Sequence, residues 1–450
     1  MKASLGPRKI KKNTWFLPLL LITISILFEM FIKDYLYDIS RKHIIYLQDK
    51  ITIKDEKFSK SNHLIVIITR IIIHISSSNL LYFLISSLLY NFLNVYKIFI
   101  LFLSILISNF FSSIFCYIFH SPRPFMVDSK ITPLIFISSE WGSPNTQIVT
   151  LITFCLTLFT VIIRNKYMKD AKKLKIFIGT IFSILTLFFI FLYFFAGVVS
   201  YDQIVFSFLL GIICYLLMFS LFDIDFNNPK QLYIIVRFKF LYYVPLNVFL
   251  GIFLFILYKY IINDEEISFY QTNINKQISR YESNNNDFFS SKIIDSTKGL
   301  FNLNNGIFFN ILCFYCNIPI ILGLKAEYIS TFNKKFNNWA KSNFGTYDAL
   351  TNFSMYNDYK YSEDSQWNNT GIFKTIIRII ISLILCFICL LPMYIPEIIK
   401  QYYTKQEEVN QVVALIFYSG FPLFLISFGT FYFFKVIYRI LFLTKKFYND

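Results

Sequence analysis

Apolar stretches of about 18–25 residues recur along this 450-residue chain and restrict its fold more than any other feature. A bilayer core takes about 20 apolar residues per helix, because every backbone N–H and C=O must be satisfied within the segment. Residues 15–32, 77–93, 97–119, 148–163, 176–195, 204–222, 241–261, 307–324, 374–396 and 411–435 fit, giving about ten spans. Composition agrees: 56% of residues are hydrophobic and 16% charged, where soluble proteins carry about 25% charged residues. Mean hydropathy is +0.54. The expectation is an all-α polytopic membrane protein.

A net charge of +16 would suggest nucleic acid only if the basic residues lined a soluble face. They sit instead in short segments between apolar runs, as the positive-inside rule describes. "MKASLGPRKIKKN" holds five Lys/Arg and is followed by an apolar run without a small-residue cleavage site, so it reads as a retained first helix with a cytosolic N-terminus. "RNKYMKDAKKLK", Lys230, Arg237, Lys239 and the basic tail fall on the same side. "NDEEISFY" and the segment His120–Gln147 fall on the opposite, lumenal or extracellular side. Membrane lipids are the expected partners, with no nucleic acid and no protein partner specified. Within 33–62, "DISRKHIIYLQDKI" reads as an amphipathic interfacial helix. Residues 262–300 and 325–371 read as polar loops or small caps, and the Asn352 and Asn368 sequons as chance cytosolic matches. Seven cysteines give no disulfide framework. Cys313/Cys316 and Cys386/Cys389 lie in apolar spans and read as small hydrophobes, not metal thiolates. No metal or cofactor is expected.

Two polar islands share the lumenal face. One is "HSPRPFMVDSKITPLIFISSEWGSPNTQ", from His120 to Gln147; the other is "FFAGVVSYDQIV", from Phe194 to Val205. The order R-P-F, then E-W-G-x-P, then G-V-x-S-x-x-Q at the start of a later helix resembles the type-2 phosphatidic acid phosphatase superfamily. Sphingoid-base phosphate phosphatases are closest within it, and the likeness covers about residues 30–225. It implies a basic N-terminus, first helix and amphipathic segment over 1–62, and a phosphatase-like core over 63–225. A C-terminal extension follows over 226–450. The implied architecture is six helices plus about four C-terminal spans. An endoplasmic reticulum or other endomembrane location goes with it.

That family holds the phosphate with Lys and Arg side chains, attacks phosphorus with one His and protonates the leaving alcohol with another. Carried onto this chain, Arg123 keeps the phosphate contact, while the Lys position holds Cys116. The second phosphate Arg position holds Tyr193. The general-acid His is replaced by Gln147, and the nucleophile by Val199. Gln203 takes the orienting position, and Asn145, Thr146 and His120 complete the implied substrate contacts. Valine has no nucleophilic atom, and losing a general acid alone costs about 10²–10⁴ in rate. The expected function is therefore a lipid-phosphate phosphatase-like protein that has lost catalysis, with a phosphorylated lipid among its ligands.

Plainer readings exist for each residue. The Pro- and Gly-bearing loop can simply turn the chain, with Arg123 snorkelling to the interface. His120, three residues before Arg123, can be an interfacial histidine or a substitute base. Arg70 and His74, spaced i, i+4, share a helical face and fit the interface better than the membrane interior. From a different class, the bundle can serve as a non-enzymatic transporter, scramblase-like protein or scaffold.

Overall fold

In the computed structural model the described residues are 16–51, 80–93, 95–119, 121–131, 133, 141–163, 172–221, 372–394 and 434–441, with isolated pieces among 64–73, 249–276 and 425–430. Every regular element among them is helical. The elements are α1 (Phe16–Phe31), α2 (Lys33–Ile51), α3 (Leu80–Leu89), α4 (Val95–Phe119), the single turn α5 (Pro124–Val127), α6 (Thr146–Ile163), α7 (Lys172–Phe195), α8 (Tyr201–Leu221), α9 (Ile372–Leu390), a 3₁₀ turn (Leu391–Tyr394) and α10 (Phe434–Ile440). Five helices are long and apolar enough to cross a membrane: Lys97–Cys116, Thr146–Ile163, Lys173–Phe195, Tyr201–Met218 and Ile372–Leu390. The α1–α2 pair, bent by 68°, makes up to six. The chain is thus an all-α protein with several membrane-spanning helices. Most of the spans expected at 241–261 and 411–435, and all of 307–324, lie outside the described residues, as do His120, Arg70, His74, Cys313, Cys316 and both sequons. Within 77–93, the described helix covers the 10 residues Leu80–Leu89.

The centre of the bundle is α4, α6 and α8. Lipid tails are as apolar as the helices, so close association depends on small residues that let backbones approach. Along α4, Ser104, Ser108 and Ser112 repeat every fourth position and are buried. Ser108 donates to Thr150 on α6 at 3.2 Å, and Thr150 donates to Asn109 at 3.2 Å. Thr153 reaches across to the Gly211 carbonyl of α8 at 3.1 Å. A Cβ on Gly211 would lie 2.8 Å from Ile152, so glycine there sets the α6–α8 spacing. Outside this centre, α7 turns a row of Ile, Leu and Phe side chains outward.

On α1, Ser25 and Glu29 are buried one turn apart, and this helix packs along α8. The next helix, α2, is amphipathic as expected. Ser40, Ile44 and Gln48 form its buried stripe at i, i+4, i+8, while Lys42, His43, Tyr46, Asp49 and Lys50 face outward. After the bend, this stripe lies across the ends of α7 and α8.

Candidate functional site

Three segments far apart in sequence meet at one end of α4, α6, α7 and α8. The first follows α4. Ser121 accepts from the Gly142 N–H at 2.6 Å and pairs with Ser143 in an isolated antiparallel bridge, joining the first motif to the second. Arg123 then caps the short α5 in an extended conformation, with Pro124 at the position where a missing N–H is harmless.

The second segment ends at α6. Asn145 is its N-cap: its Oδ1 accepts from the Ile148 N–H at 3.1 Å. The Asn145 N–H donates to Ser207 at 2.7 Å, and Ser207 donates to the Gln203 carbonyl at 2.5 Å. The second motif is thereby tied to α8.

The third segment joins α7 to α8. Gly197 sits at φ +73°, in the left-handed region, and reverses the chain after α7. A Cβ there would fall 2.7 Å from Ile131. Ser200 and Gln203 then form half of a capping box, with the Ser200 N–H donating to Gln203 Oε1 at 3.3 Å. The same Gln203 side chain donates to the Pro122 carbonyl at 2.8 Å and to Ser121 Oγ at 3.5 Å. One amide thus ties the first motif to the third. Gly142 makes room for it, since a Cβ at that position would collide with the Gln203 amide.

Arg123, Cys116, Asn145, Thr146, Gln147, Tyr193, Val199 and Gln203 are brought to this one end of the bundle, all of them buried. Arg123 is 0% exposed and donates to the Val198 carbonyl at 3.4 Å, so it does not snorkel. Cys116, Tyr193 and Val199 share an apolar cluster with Phe125, Met126, Trp141 and Ile148. Cys116 donates weakly to the Trp141 carbonyl at 3.6 Å. Position 199 therefore presents methyl groups to a packed interior. Asn145 Oδ1 caps α6 and the Gln203 amide joins the segments, while Asn145 Nδ2 is buried without a hydrogen-bond partner.

Several residues at this end were not anticipated. From α2, Arg41 pairs with Asp128 at 3.0 Å, Gln48 donates to the Phe195 carbonyl at 3.4 Å, and His43 meets the Tyr201 hydroxyl at 3.0 Å. Ile44 belongs to the same apolar cluster as Val199, so α2 is a strap over the third motif. From the segment read as a polar loop, Asn273 donates to the Met126 carbonyl at 2.9 Å, and Tyr270 stands edge-on to Trp141. Two carboxyl groups are buried here as well, Glu29 on α1 and Asp202 on α8. Glu29 alone had a visible signal, as the single carboxylate inside the first apolar run.

No family model, curated protein or solved structure matches this chain. The phosphatase resemblance therefore stands on the motif residues themselves. Gln147, Tyr193 and Val199, as placed, offer hydrogen bonding and apolar packing. Among the described residues, no group of three His, Cys, Asp or Glu side chains gathers closely enough to share a metal ion.

Proposed function

We propose that this chain is a lipid-phosphate phosphatase-like membrane protein that keeps the family's architecture and its anchoring Arg123 while catalysis has been lost. The observation that carries this reading is the convergence of the three motif segments around Arg123, with Val199 packed into apolar surroundings at the nucleophile position. A phosphoenzyme on a histidine needs an imidazole nitrogen beside the phosphate, and a valine supplies none. Gln147 has no ionisable proton for a leaving alkoxide. The ligand class this reading names is a phosphorylated lipid of the sphingoid-base or phosphatidate type. The basic segments support a cytosolic N-terminus, with the motif end facing the lumen of an endomembrane such as the endoplasmic reticulum.

The test uses the purified full chain in liposomes. Phosphate release from phosphatidate and sphingoid-base phosphate should match protein-free liposomes. Retention of those lipids over phosphatidylcholine should fall on Arg123→Ala and partly return with Arg123→Lys. Metal-independent hydrolysis that depends on Arg123 would overturn the loss of catalysis. The complete burial of Arg123 favours a second reading, a non-enzymatic transporter, scramblase-like protein or scaffold. That reading predicts lipid or solute movement that survives Arg123→Ala and no preference for phosphorylated lipids.

A further inference from the structure

Between α1 and α2 a single residue, Ile32, belongs to neither helix, and the pair is bent there by 68°. Helical hydrogen bonds continue through the bend: the Ile32 N–H donates to the Phe28 carbonyl at 3.0 Å and the Leu36 N–H to the Ile32 carbonyl at 3.2 Å. Proline and glycine, the usual causes of a sharp kink, are absent from this stretch. The bend is therefore held by what each helix rests on. α1 lies along α8, while α2 turns across the ends of α7 and α8. At such a joint a change in a few backbone angles moves a whole helix.

The inner face of α2 grips both backbone segments that seat Arg123. Arg123 starts α5 and donates to the Val198 carbonyl of the third segment. On the α5 side, Arg41 pairs with Asp128 at 3.0 Å. Asp128 closes α5 through its own N–H to the Pro124 carbonyl, and its Oδ1 accepts from the Lys130 N–H at 2.9 Å. On the other side, Gln48 donates to the Phe195 carbonyl at 3.4 Å, and His43 meets the Tyr201 hydroxyl at 3.0 Å. Ile44 shares one apolar cluster with Phe125 of α5 and with Val198 and Val199. Gly197 lets the helix come this close, since a Cβ there would lie 3.1 Å from Gln48 Nε2.

The grip is light. Over Lys33–Lys50 only Ser40, Ile44 and Gln48 are buried, whereas α6 buries twelve of its eighteen residues. The Arg41 side chain is 33% exposed, so water screens its pair with Asp128, and the His43–Tyr201 contact lies open to solvent. Elements with few buried apolar contacts open at the lowest free energy. An amphipathic helix at the bilayer surface also has a place to go. Freed from the cluster, Ile44, Ile45 and Leu47 can be buried again at the boundary of headgroups and acyl chains. Arg123 itself is 0% exposed, so a phosphate reaches it only after part of its surroundings moves.

We propose that α2 is a lid, hinged at Ile32, that lifts from α5 and the third segment onto the membrane surface and so opens the Arg123 seat to a lipid headgroup. The identity of the entrant rests on the lipid-phosphate reading; the hinge and the grip do not.

The experiment places the full chain with Val199→Cys in phosphatidylcholine nanodiscs. It follows modification of position 199 by a water-soluble maleimide, read by mass spectrometry of the peptide. Cys214, buried in α8 within the other apolar cluster, is the internal reference. Arg41→Ala should speed modification at 199 by about two- to fivefold and leave Cys214 unchanged. His43→Cys with Tyr201→Cys allows a lock, because the two native rings stand 5.7 Å apart. Bridging that pair with a bis-methanethiosulfonate should abolish modification at 199, and cleaving the bridge with dithiothreitol should restore it. Hydrogen exchange of the 195–201 amides, slower in the bridged chain, repeats the comparison without the thiol at 199. With phosphatidate added to the discs, the bridged chain should lose the lipid retention that the reduced chain shows. Modification indifferent to both Arg41→Ala and the bridge, or rising in step with Cys214, overturns the lid. Bridge-sensitive modification with no preference for phosphatidate keeps the lid and removes the lipid-phosphate reading instead.

Discussion

At the scale of single residues, Gln203 shows how much one side chain can join. Its amide accepts from Ser200, donates to Pro122 and Ser121, and occupies the space left by the missing Cβ of Gly142. With bonds on both ends of the amide, Gln203 cannot step aside cheaply. Gly142→Ala should therefore destabilise by about 1–3 kcal/mol through overpacking. Removing the obstacle tests the cause: in the Gly142→Ala/Gln203→Ala double variant the two losses should be less than additive, by about 0.5–3 kcal/mol. Unfolding in mixed micelles measures all three variants, and strict additivity would show that the two positions do not meet. The S-x-x-Q spacing of a capping box is present in the sequence at Ser200–Gln203, and so is the capping asparagine before the apolar run at 146. That the same glutamine crosses to Pro122, 81 residues away, is not.

Among the elements, α2 has the most direct bearing on the site. Its polar–apolar alternation is local, and so its interfacial character is plain in "DISRKHIIYLQDKI". The 68° bend after α1 and the choice of the third motif as its resting place depend on partners more than 80 residues away, Asp128, Phe195 and Tyr201. The Arg41–Asp128 pair is partly buried, and pairs of this kind contribute about 0.2–1 kcal/mol. Arg41→Ala should then raise local opening of the strap by about two- to fivefold at the upper end of that range. Hydrogen exchange of the backbone amides over 194–203 reads this directly, while the amides of α4 should keep their protection. Equal acceleration in both regions would mean that the substitution loosens the bundle as a whole.

On the scale of the whole molecule, a buried polar network ties the C-terminal helices to the core. Arg378, Ser382 and Cys386 form the buried stripe of α9. Tyr438 of α10 meets Ser382 at 2.5 Å, and its single O–H has two acceptors in reach, Asn91 Oδ1 at 3.0 Å and the Arg378 carbonyl at 3.0 Å. Asn91 in turn donates to Ser382 at 2.8 Å. Tyr438→Phe should lower stability by about 1–2 kcal/mol, because it strips one partner from each buried group. Unfolding by titrated denaturing detergent measures it, and a loss confined to Ser382→Ala would locate the link elsewhere. The motif end and the start of α7 lie at opposite ends of the bundle, which gives a sidedness test. A membrane-impermeant thiol reagent should reach Lys173→Cys from the cytosol and Lys130→Cys only from the lumenal side; the reverse pattern would invert the proposed orientation. The sequence by itself determined that this chain is helical and lies in a membrane, because apolar length and helical period are properties of each segment alone. It also placed the motif residues in an order that brings three polar turns to one face. Only the tertiary structure decided which polar groups meet: Arg123 with Val198, Gln203 with Pro122, Arg41 with Asp128, Tyr438 with Asn91. The physical reason is that these contacts are set by how closely helices approach at small residues and by the angle of one bend, neither of which is a property of any single stretch of chain.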